Sequence, residues 1–290
     1  MKKWITLINI FTLMIPYYII SNLFYLCCRK NKNIWMSSPL RLLISPVMLP
    51  NGYQIFWSWS QDPFWFKDII QEVYHHETYE HFFSMKENDI VVDVGANVGL
   101  FSLKASKVVG EHGIIVAFEP EKNNYKMLRR NLGINKCRNV IPINAAVSNF
   151  NGKADFSIAN TLVEHKLADS KSELEIKSIL TTKVDVKTIQ SVLKELGIDR
   201  VDFLKIDAEG SEFEVLSGAR SLLMSKAIKK VSVAVYHSKD EPKLVGDYLR
   251  QFGYNVLYFR STGLCNFPKI HAYGFTNLPE TDNLEILENH

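Results

Sequence analysis

A carboxylate and two glycines stand within seven residues, from Asp93 to Gly99, directly after an apolar run. An apolar run, a glycine turn and a second apolar run are typical of a buried strand that passes through a tight turn into a helix. Such a turn presents free backbone N–H groups and the positive end of a helix dipole to a ligand. Gly95 allows the sharp turn, and Gly99 allows a ligand to approach the backbone. We therefore predict a ligand-binding turn formed by Gly95, Ala96, Asn97 and Gly99.

A second carboxylate, Glu119, ends the next apolar run and lies 24 residues beyond Gly95. In nucleotide-binding βαβ units, a carboxylate at this place accepts hydrogen bonds from the ribose hydroxyls. The glycines do not follow the G-x-G-x-x-G dinucleotide pattern, because Asn97 stands where a middle glycine would be. The pattern suits adenosine with a short cationic tail, and S-adenosylmethionine fits this description.

Each predicted cofactor contact has a structural alternative. Glu119 is predicted to bind the ribose, or else it is a surface carboxylate. Asp93 orders the amino group of the cofactor, directly or through water, or else it caps the helix. Asn144, Ala145 or Ala146 borders the adenine, or else this segment is only the end of a strand.

Four further polar residues follow two later apolar strands. Lys205, Asp207 and Glu209 lie at the end of one, and His237 directly follows the other. Ligands bind beyond the carboxyl ends of the strands in open α/β sheets, so these side chains are expected to face the same crevice as the glycine turn.

Four segments together resemble the FkbM family of S-adenosylmethionine-dependent methyltransferases: DVGANVGLFS, FEP, DFLKIDAEGSEFEVLSGA and VYHSKDE. The resemblance covers about residues 70–276. It implies a seven-stranded sheet with one antiparallel strand, and S-adenosylmethionine as the cofactor. It also implies methyl transfer, usually to an oxygen of a glycan, a lipid or a secondary metabolite.

Methyl transfer to oxygen requires alignment, exclusion of water and removal of the acceptor proton. Asp207, Glu209 and His237 are the candidate catalytic bases, and Asp207 is also a candidate for contact with the cofactor or for ordering the loop. Glu209 faces the acceptor or caps the next helix with Gly210, and His237 is catalytic or makes a structural hydrogen bond. Lys205 pairs with Glu209 or with an acidic substrate, or else it is solvated or pairs with a neighbouring strand. The three candidate bases could also bind a divalent cation, but their spacing matches no specific metal motif, so no metal site is predicted.

The composition is that of a globular α/β protein. The chain has 290 residues, of which 47% are hydrophobic and 22% charged, enough for one full domain with additions. A net charge of +3 gives no case for a nucleic-acid partner. The four cysteines form no C-x-x-C pair, so neither a zinc site nor a disulfide framework is indicated.

Residues 4–28 carry no charge and have basic residues on both sides. As a helix, this run would cross roughly 30 Å of hydrocarbon. We predict an N-terminal membrane anchor over residues 1–32, with the catalytic domain on the cytoplasmic side because the predicted cofactor is a cytosolic metabolite. A buried or interfacial helix and a signal sequence are the alternatives.

Residues 33–85 are rich in aromatic side chains and are expected to cover the main domain, with a helix from Asp68 to Phe83. The aromatic side chains pack in the core, or they form an acceptor-binding wall or a membrane contact. The main domain is predicted to span residues 86–278 and to contain an insertion at residues 150–187. An acidic tail is predicted at residues 279–290.

Strands alternate with helices in the main domain, which predicts a parallel sheet with helices on both faces. Strands are predicted at 89–94, 114–119, 139–144, 201–207, 230–236, 254–260 and 269–276. Helices are predicted from Pro120 to Leu132, with Gly133 as the stop, and at 187–197, 212–225 and 241–252. Together with this alternation, the resemblance implies the fold class of a Rossmann-like α/β class I methyltransferase, a mostly parallel seven-stranded sheet, to which the predicted N-terminal transmembrane helix is added. The insertion is expected to form a hairpin around a charged loop.

The sequence thus predicts a membrane-anchored methyltransferase that acts on an oxygen of a sugar, glycan or lipid-linked acceptor. A small-molecule or N-methyltransferase is an alternative, and so is a non-catalytic module that binds the cofactor at the membrane. An NAD-dependent oxidoreductase is a more distant alternative.

Overall fold

The computed structural model describes residues 46–57, 63–158, 166–167, 180–262 and 268–277. The chain forms two compact units, and the boundary between them lies between Phe66 and Lys67. The predicted cover segment, residues 33–85, is therefore divided between the two units. The predicted anchor and the predicted acidic tail lie outside the described residues. No helix in the described ranges is both long enough and apolar enough to cross a membrane.

The first unit contains a small antiparallel hairpin. Its two strands are β1, Val47–Met48, and β2, Gln54–Ile55. The Trp57 ring packs on the Phe66 ring, with a distance of 4.7 Å between the ring centroids. Phe66 belongs to helix α1, Pro63–Ile70, which continues into the second unit.

The second unit contains two sheets, whose strands follow in chain order: β3 Ile90–Val94, β4 Ile114–Phe118, β5 Val140–Ile143, β6 Ala146–Val147, β7 Gly152–Ile158, β8 Lys166–Leu167, β9 Leu180–Lys187, β10 Phe203–Ile206, β11 Lys230–Ala234, β12 Asn255–Thr262 and β13 Pro268–Phe275. The main sheet has the order β12-β13-β11-β10-β3-β4-β5. Strand β13 pairs antiparallel with both β11 and β12, and the other pairs are parallel. The predicted seven-stranded sheet with one antiparallel strand is confirmed.

The helices of the second unit that follow α1 are α2 Leu100–Val109, α3 Lys122–Ile134, α4 Ile189–Glu195, α5 Glu212–Gly218, α6 Arg220–Met224 and α7 Glu241–Gln251. Alternate residues of each strand point to opposite faces of the sheet. Leu204 belongs to a core that also contains Leu216 of α5 and Leu249 of α7. Phe203 points to the other face, where its ring contacts Phe101 of α2. Helices therefore cover both faces, as predicted.

The predicted insertion forms part of a second sheet with the order β6-β9-β7-β8. Strands β7 and β9 pair antiparallel, with Phe156 opposite Thr182. The expected hairpin is confirmed. Strand β6 lies parallel to β9, which ties the hairpin to the chain that follows β5.

Two predicted helices have different ends in the structure. Gly133 does not stop α3, which continues to Ile134, and the chain turns at Lys136, which has a φ of 54°. The helix predicted at 212–225 is divided into α5 and α6 at Ala219. A Cβ atom on Gly218 would lie 2.2 Å from the carbonyl oxygen of Ser148, so α5 ends where its backbone meets the second sheet.

The helix predicted from Asp68 to Phe83 is also wrong in part. Helix α1 ends at Ile70, a π-helical turn follows over Gln71–His75, and a 3₁₀ turn follows over Thr78–Glu80. Glu77 has a φ of 49°, so its left-handed backbone interrupts the helical path between the π-helical turn and the 3₁₀ turn. The buried Lys104 of α2 donates a 2.9 Å hydrogen bond to the carbonyl oxygen of Val73 and stabilises this irregular path.

Candidate active site

The predicted glycine turn and the later polar loop lie against each other at the carboxyl edge of the main sheet. Strands β3 and β10 are neighbours, and the N–H of Asp207 donates a 3.1 Å hydrogen bond to the carbonyl oxygen of Val94. Gly95 has a φ of 78°, and a Cβ atom there would lie 1.9 Å from the carbonyl oxygen of Asp207. Only glycine fits this position, because both its conformation and the space require the absence of a side chain.

The backbone N–H groups of the glycine turn are not free, which corrects one expectation. The N–H groups of Gly95 and Ala96 both donate to the carbonyl oxygen of Phe118. The N–H of Val98 donates to the side-chain oxygen of Asn97, and that of Gly99 donates to the carbonyl oxygen of Ala96. The turn is thus held by β4 and by itself, so it is not an open cradle for an anion. Such a turn is compatible with a ligand that carries no phosphate.

Gly99 is required for packing as well as for conformation. Its φ is 97°, and a Cβ atom would lie 2.6 Å from Cδ1 of Leu128 in α3. The predicted close approach of a ligand to Gly99 stays a prediction, because the close contact in the structure is made by a leucine.

Glu119 is buried and lies next to the glycine turn. Its Oε2 accepts a 2.8 Å hydrogen bond from the N–H of Asn97, and its Oε1 accepts one of 2.8 Å from the N–H of Glu121. Burial raises the pKa of Glu119 to about 8, although these two hydrogen bonds favour the charged form. A carboxylate offers about four acceptor positions. Two donors from the protein therefore leave room for the hydroxyls of a ribose.

Asn144 is exposed at the end of β5. Its side-chain amide donates hydrogen bonds to the carbonyl oxygens of Glu119 and Pro120, at 2.8 and 3.0 Å. Ala145 and Ala146 follow it and are buried. Asn144 thus holds the backbone at Glu119 and at Pro120, the residue that follows it. Its contact with adenine stays a prediction.

Asp93 has no exposed surface and lies in a buried ion pair. Its Oδ2 accepts a 2.6 Å hydrogen bond from the hydroxyl of Ser102 in α2, and its Oδ1 lies 3.1 Å from Nζ of Lys205. Gly99 is the N-terminal cap of α2, so Asp93 is not the helix cap. A direct contact with a cofactor does not fit a side chain without exposed surface. Ordering of the amino group of the cofactor through water stays a prediction.

Lys205 pairs across the sheet, which is one of its predicted alternatives. It lies opposite Asp93 in the β3–β10 register and donates to the carbonyl oxygens of Val94 and Gly95. Burial lowers its pKa, but the charges of Asp93 and Asp207 outweigh this effect and raise the pKa above its usual value. A buried ammonium group thus lies directly beneath the glycine turn.

Asp207 begins the polar loop and is held by a tyrosine that no sequence pattern indicates. The hydroxyl of Tyr79 donates a 2.7 Å hydrogen bond to Oδ2 of Asp207. Burial raises the pKa of Asp207, but the charges of Lys205 and His237 outweigh it and hold the pKa below its usual value. Asp207 is therefore a carboxylate with little tendency to take up a proton.

The loop from Ala208 to Ser211 takes an unusual backbone path. Glu209 and Gly210 have φ values of 52° and 95°. Glu212, the first residue of α5, accepts hydrogen bonds from the N–H groups of Ala208 and Gly210 and so holds the loop. The N-terminal cap of α5 is Ser211, so Glu209 does not cap this helix. Left-handed conformations at non-glycine residues occur where the surrounding structure fixes them, often at functional sites.

His237 lies among three carboxylates and is only 2% exposed. Its Nε2 lies 3.4 Å from Oε2 of Glu209, and its Nδ1 lies 3.3 Å from Oε1 of Glu212 and 3.5 Å from Oε2 of Glu241. Burial lowers the pKa of His237, but these carboxylates outweigh it and raise the pKa well above its usual value. These carboxylates therefore favour the imidazolium form of His237, and its predicted role as general base stays a prediction.

The structure brings Asp207, Glu209 and His237 together, as the sequence predicted. The side chain of Glu209 is 21% exposed, whereas Oδ1 of Asp207 and both ring nitrogens of His237 are buried, so a substrate can reach Glu209 most readily. Glu241 was not predicted from the sequence as a neighbour of His237. Its position four residues after His237 could have indicated this contact.

A buried ion pair between Lys269 and Glu72 was also not predicted from the sequence. Lys269 donates a 2.5 Å hydrogen bond to Oε2 of Glu72, and His271 lies 3.8 Å from the other oxygen of this carboxylate. Burial lowers the pKa of His271 to about 3, so this imidazole is neutral. The Tyr79 ring contacts the His271 ring edge to face, which connects this pair to Asp207. No local sequence pattern indicates the pair, because its members come from a π-helical turn and from the antiparallel strand.

The comparison with protein families agrees with the fold and with the predicted motifs. Residues 93–256 match the family model of the methyltransferase FkbM domain. This range is more than half of the chain and contains the glycine turn, Glu119, the polar loop and His237. The chain belongs to the FkbM methyltransferase family.

Several methyltransferases are similar to this chain. Methyltransferase sdnD of Sordaria araneosa is 30% identical over 176 residues, which are 52% of this chain and 67% of that protein. Hexuronic acid methyltransferase AglP of Haloferax volcanii is 28% identical over 167 residues, 56% of this chain and 63% of AglP. The 31-O-demethyl-FK506 methyltransferase FkbM of Streptomyces tacrolimicus is 27% identical over 243 residues, 74% of this chain and 90% of that protein.

A solved structure shares the fold. The crystal structure of methyltransferase FkbM from Methylobacillus flagellatus KT superposes with a TM-score of 0.50 at 17% sequence identity. The superposition covers 73% of this chain and 48% of the other, so this chain spans about half of the length of that FkbM protein.

Proposed function

We propose that this FkbM-family protein transfers the methyl group of S-adenosylmethionine to a hydroxyl oxygen of a sugar or a lipid-linked glycan. One observation carries the proposal: the glycine turn packs directly against the loop that bears Asp207 and Glu209. The predicted cofactor turn and the predicted proton acceptors therefore lie at one edge of the sheet, in direct contact. Methyl transfer requires this proximity because the acceptor oxygen must approach the methyl carbon in line.

The residues around the glycine turn fit an adenosine. Glu119 would accept the ribose hydroxyls, since its two oxygens hold only one protein donor each in the described part of the chain. Asn144 and the turn would border the adenine and the rest of the nucleoside. Bound S-adenosylmethionine would supply an electrophilic methyl group, and the buried pair of Asp93 and Lys205 would keep the turn in place.

The names of two relatives support oxygen and sugar acceptors. The 31-O-demethyl-FK506 methyltransferase acts on an oxygen by its name, and the hexuronic acid methyltransferase acts on a sugar acid by its name. The proposed acceptor extends these two features to this chain.

Glu209 is the residue that we propose as the proton acceptor. Asp207 has a lowered pKa and is therefore a weak base, while His237 already carries a proton. The side chain of Glu209 is 21% exposed, and the imidazole of His237 holds its carboxylate in place at 3.4 Å. The acceptor hydroxyl would give its proton to Glu209 as its oxygen attacks the methyl carbon.

Calorimetric titration of the full-length chain with S-adenosylmethionine tests the proposal that the protein binds this cofactor. We expect binding by the native chain, no measurable binding by Glu119→Ala, and normal binding by a control at an exposed position, Glu111→Ala. The absence of binding to the folded native chain would contradict the proposal.

The acceptor part is tested by incubating the protein and a membrane extract with cofactor labelled in the methyl group. We expect label in a glycan or glycolipid fraction, and a loss of at least about tenfold in rate for Glu209→Gln with cofactor binding kept. Label found only in soluble metabolites would favour a small-molecule methyltransferase. Cofactor binding without any transfer would favour a non-catalytic module.

A further inference from the structure

We propose that Asp207, Glu209 and His237 form a binding site for a divalent metal ion. The role of this ion in the reaction rests on the proposed function, whereas its binding does not. The three residues follow two neighbouring parallel strands, β10 and β11, so the sheet itself brings them to one place.

The first argument is that the side chains of this cluster hold buried polar atoms without hydrogen bonds. In the described part of the chain, neither Nε2 of His237 nor Oδ1 of Asp207 makes a hydrogen bond. The hydroxyl of Tyr79 donates a hydrogen bond to the other oxygen of Asp207, Oδ2, so this bond does not involve Oδ1. Buried polar atoms without hydrogen bonds are rare in folded proteins, because their desolvation is costly unless a hydrogen bond or a bound ion compensates for it. A cation bound between these atoms would provide that compensation.

The second argument is the spacing of the atoms. One ligand atom from each of the three residues lies within 4.8 Å of the others, and Nε2 of His237 is 3.4 Å from Oε2 of Glu209. Two ligands that share an ion through bonds of about 2.1 Å lie roughly 3.0–3.5 Å apart. The imidazole and the carboxylate are therefore already separated as two ligands of one ion would be.

The third argument comes from the opposite side of the imidazole ring. Its Nδ1 faces Glu212 at 3.3 Å and Glu241 at 3.5 Å. Metal-binding histidines almost always direct their second ring nitrogen at a carboxylate or a carbonyl group, which fixes the ring and its tautomer. Glu212 and Glu241 are themselves held, because they accept N–H groups of the polar loop and of His237. The ring therefore directs Nε2 toward Glu209. A metal ion bound there would replace the proton on Nε2.

One imidazole nitrogen and two carboxylates favour a divalent cation such as Mn²⁺ or Mg²⁺, with water or substrate at the remaining positions. The acceptor hydroxyl would bind the ion, which lowers the pKa of the hydroxyl. Its proton would pass through the Glu209 carboxylate to solvent, and its oxygen would form a bond to the methyl carbon. The bond from this carbon to sulfur would break, with the electron pair left on sulfur, so that the products are a methyl ether and S-adenosylhomocysteine.

Electron paramagnetic resonance of Mn²⁺ with the full-length chain tests the site. We expect one bound Mn²⁺ per chain, which excess Mg²⁺ displaces. Glu209→Gln and Asp207→Asn should each weaken Mn²⁺ binding at least about tenfold. The matched control is Asp240→Asn, which changes an exposed carboxylate three residues after His237 and should leave Mn²⁺ binding unchanged.

Folding and cofactor binding are measured on the same samples by circular dichroism and calorimetry. A folded chain that binds S-adenosylmethionine but not Mn²⁺ would overturn the metal site and leave the proposed function in place. Binding of Mn²⁺ that Glu209→Gln and Asp207→Asn do not change would also overturn the site. A folded chain that binds Mn²⁺ but does not bind S-adenosylmethionine would support the site and contradict the proposed function.

Discussion

Glu119 is the residue whose protonation should control binding of the nucleoside. Its pKa of about 8 means that most of this carboxyl group is protonated below that pH, because burial opposes its charge. Two ribose hydroxyls need the ionised form, so binding must be accompanied by loss of the proton. We expect the affinity for adenosine to rise with pH by up to about tenfold per unit until about pH 8, and then to level off.

Calorimetry with adenosine between about pH 6 and pH 9 measures this dependence, since adenosine itself does not titrate in that range. Glu119→Gln is the matched variant, which should bind more weakly and without dependence on pH. A flat profile for the native chain would show that Glu119 does not bind the ribose as a carboxylate.

The buried pair of Asp93 and Lys205 should make a large contribution to stability when one partner is removed. Both side chains are buried, and Lys205→Met would leave the Asp93 carboxylate without its counter-charge. We expect a loss of about 3–5 kcal/mol in the free energy of unfolding, measured with urea. The double variant Asp93→Asn with Lys205→Met should recover most of this loss. A single variant within about 1 kcal/mol of the native chain would contradict the expected role of the pair.

At the scale of elements, the contact between the glycine turn and the loop after β10 decides whether the site forms. Gly95→Ala would place a Cβ atom 1.9 Å from a carbonyl oxygen, so the turn or the loop must move. Gly197→Ala is a matched control, because its φ of 69° is similar but nothing lies within 4 Å of the added atom.

We expect Gly95→Ala to lose S-adenosylmethionine binding in calorimetry. Gly197→Ala should keep the binding and lose only about 1–2 kcal/mol of stability from its left-handed conformation. Normal cofactor binding by Gly95→Ala would show that the contact between the two loops is not required.

The irregular segment from Gln71 to Glu80 is a second element that matters for the site, because it carries both Glu72 and Tyr79. Lys104 holds this segment through the Val73 carbonyl and a 2.5 Å ion pair with Glu80, and both partners of this pair are buried. We expect Lys104→Met to increase cleavage within this segment during limited proteolysis, and to lower stability by about 3–5 kcal/mol. Cleavage at the same rate as in the native chain would contradict this role of Lys104.

At the scale of the whole molecule, membrane attachment stays a prediction about residues 4–28. If this run is an anchor, the full-length chain should sediment with membranes and resist extraction by carbonate. A chain without residues 4–28 should be released and still bind S-adenosylmethionine. The protein should also be digested by protease added from the cytoplasmic side. Recovery of the full-length chain in the soluble fraction would contradict the anchor.

The sequence by itself determined the strands of the main sheet and the place of the candidate site. Strand positions follow from short apolar runs, and the turn at Gly95 follows from local chemistry. Parallel strands end at the same edge, so Glu119, Asp207 and His237 could be placed together without a structure. Helix ends were less predictable, since the ends at Ile70 and Gly218 depend on packing with distant parts of the chain.

Tertiary structure alone decided how the charges of the site are paired. Tyr79 reaches Asp207 across 128 residues of sequence, and Lys269 reaches Glu72 across 197. The cross-sheet partner of Lys205 depends on the register of β3 against β10, which no local pattern contains. Burial raises the pKa of Glu119, and at His237 burial is outweighed by the surrounding carboxylates, which raise the pKa of the imidazole. The sequence alone contains neither shift, because burial and neighbouring charges act through space and not along the chain.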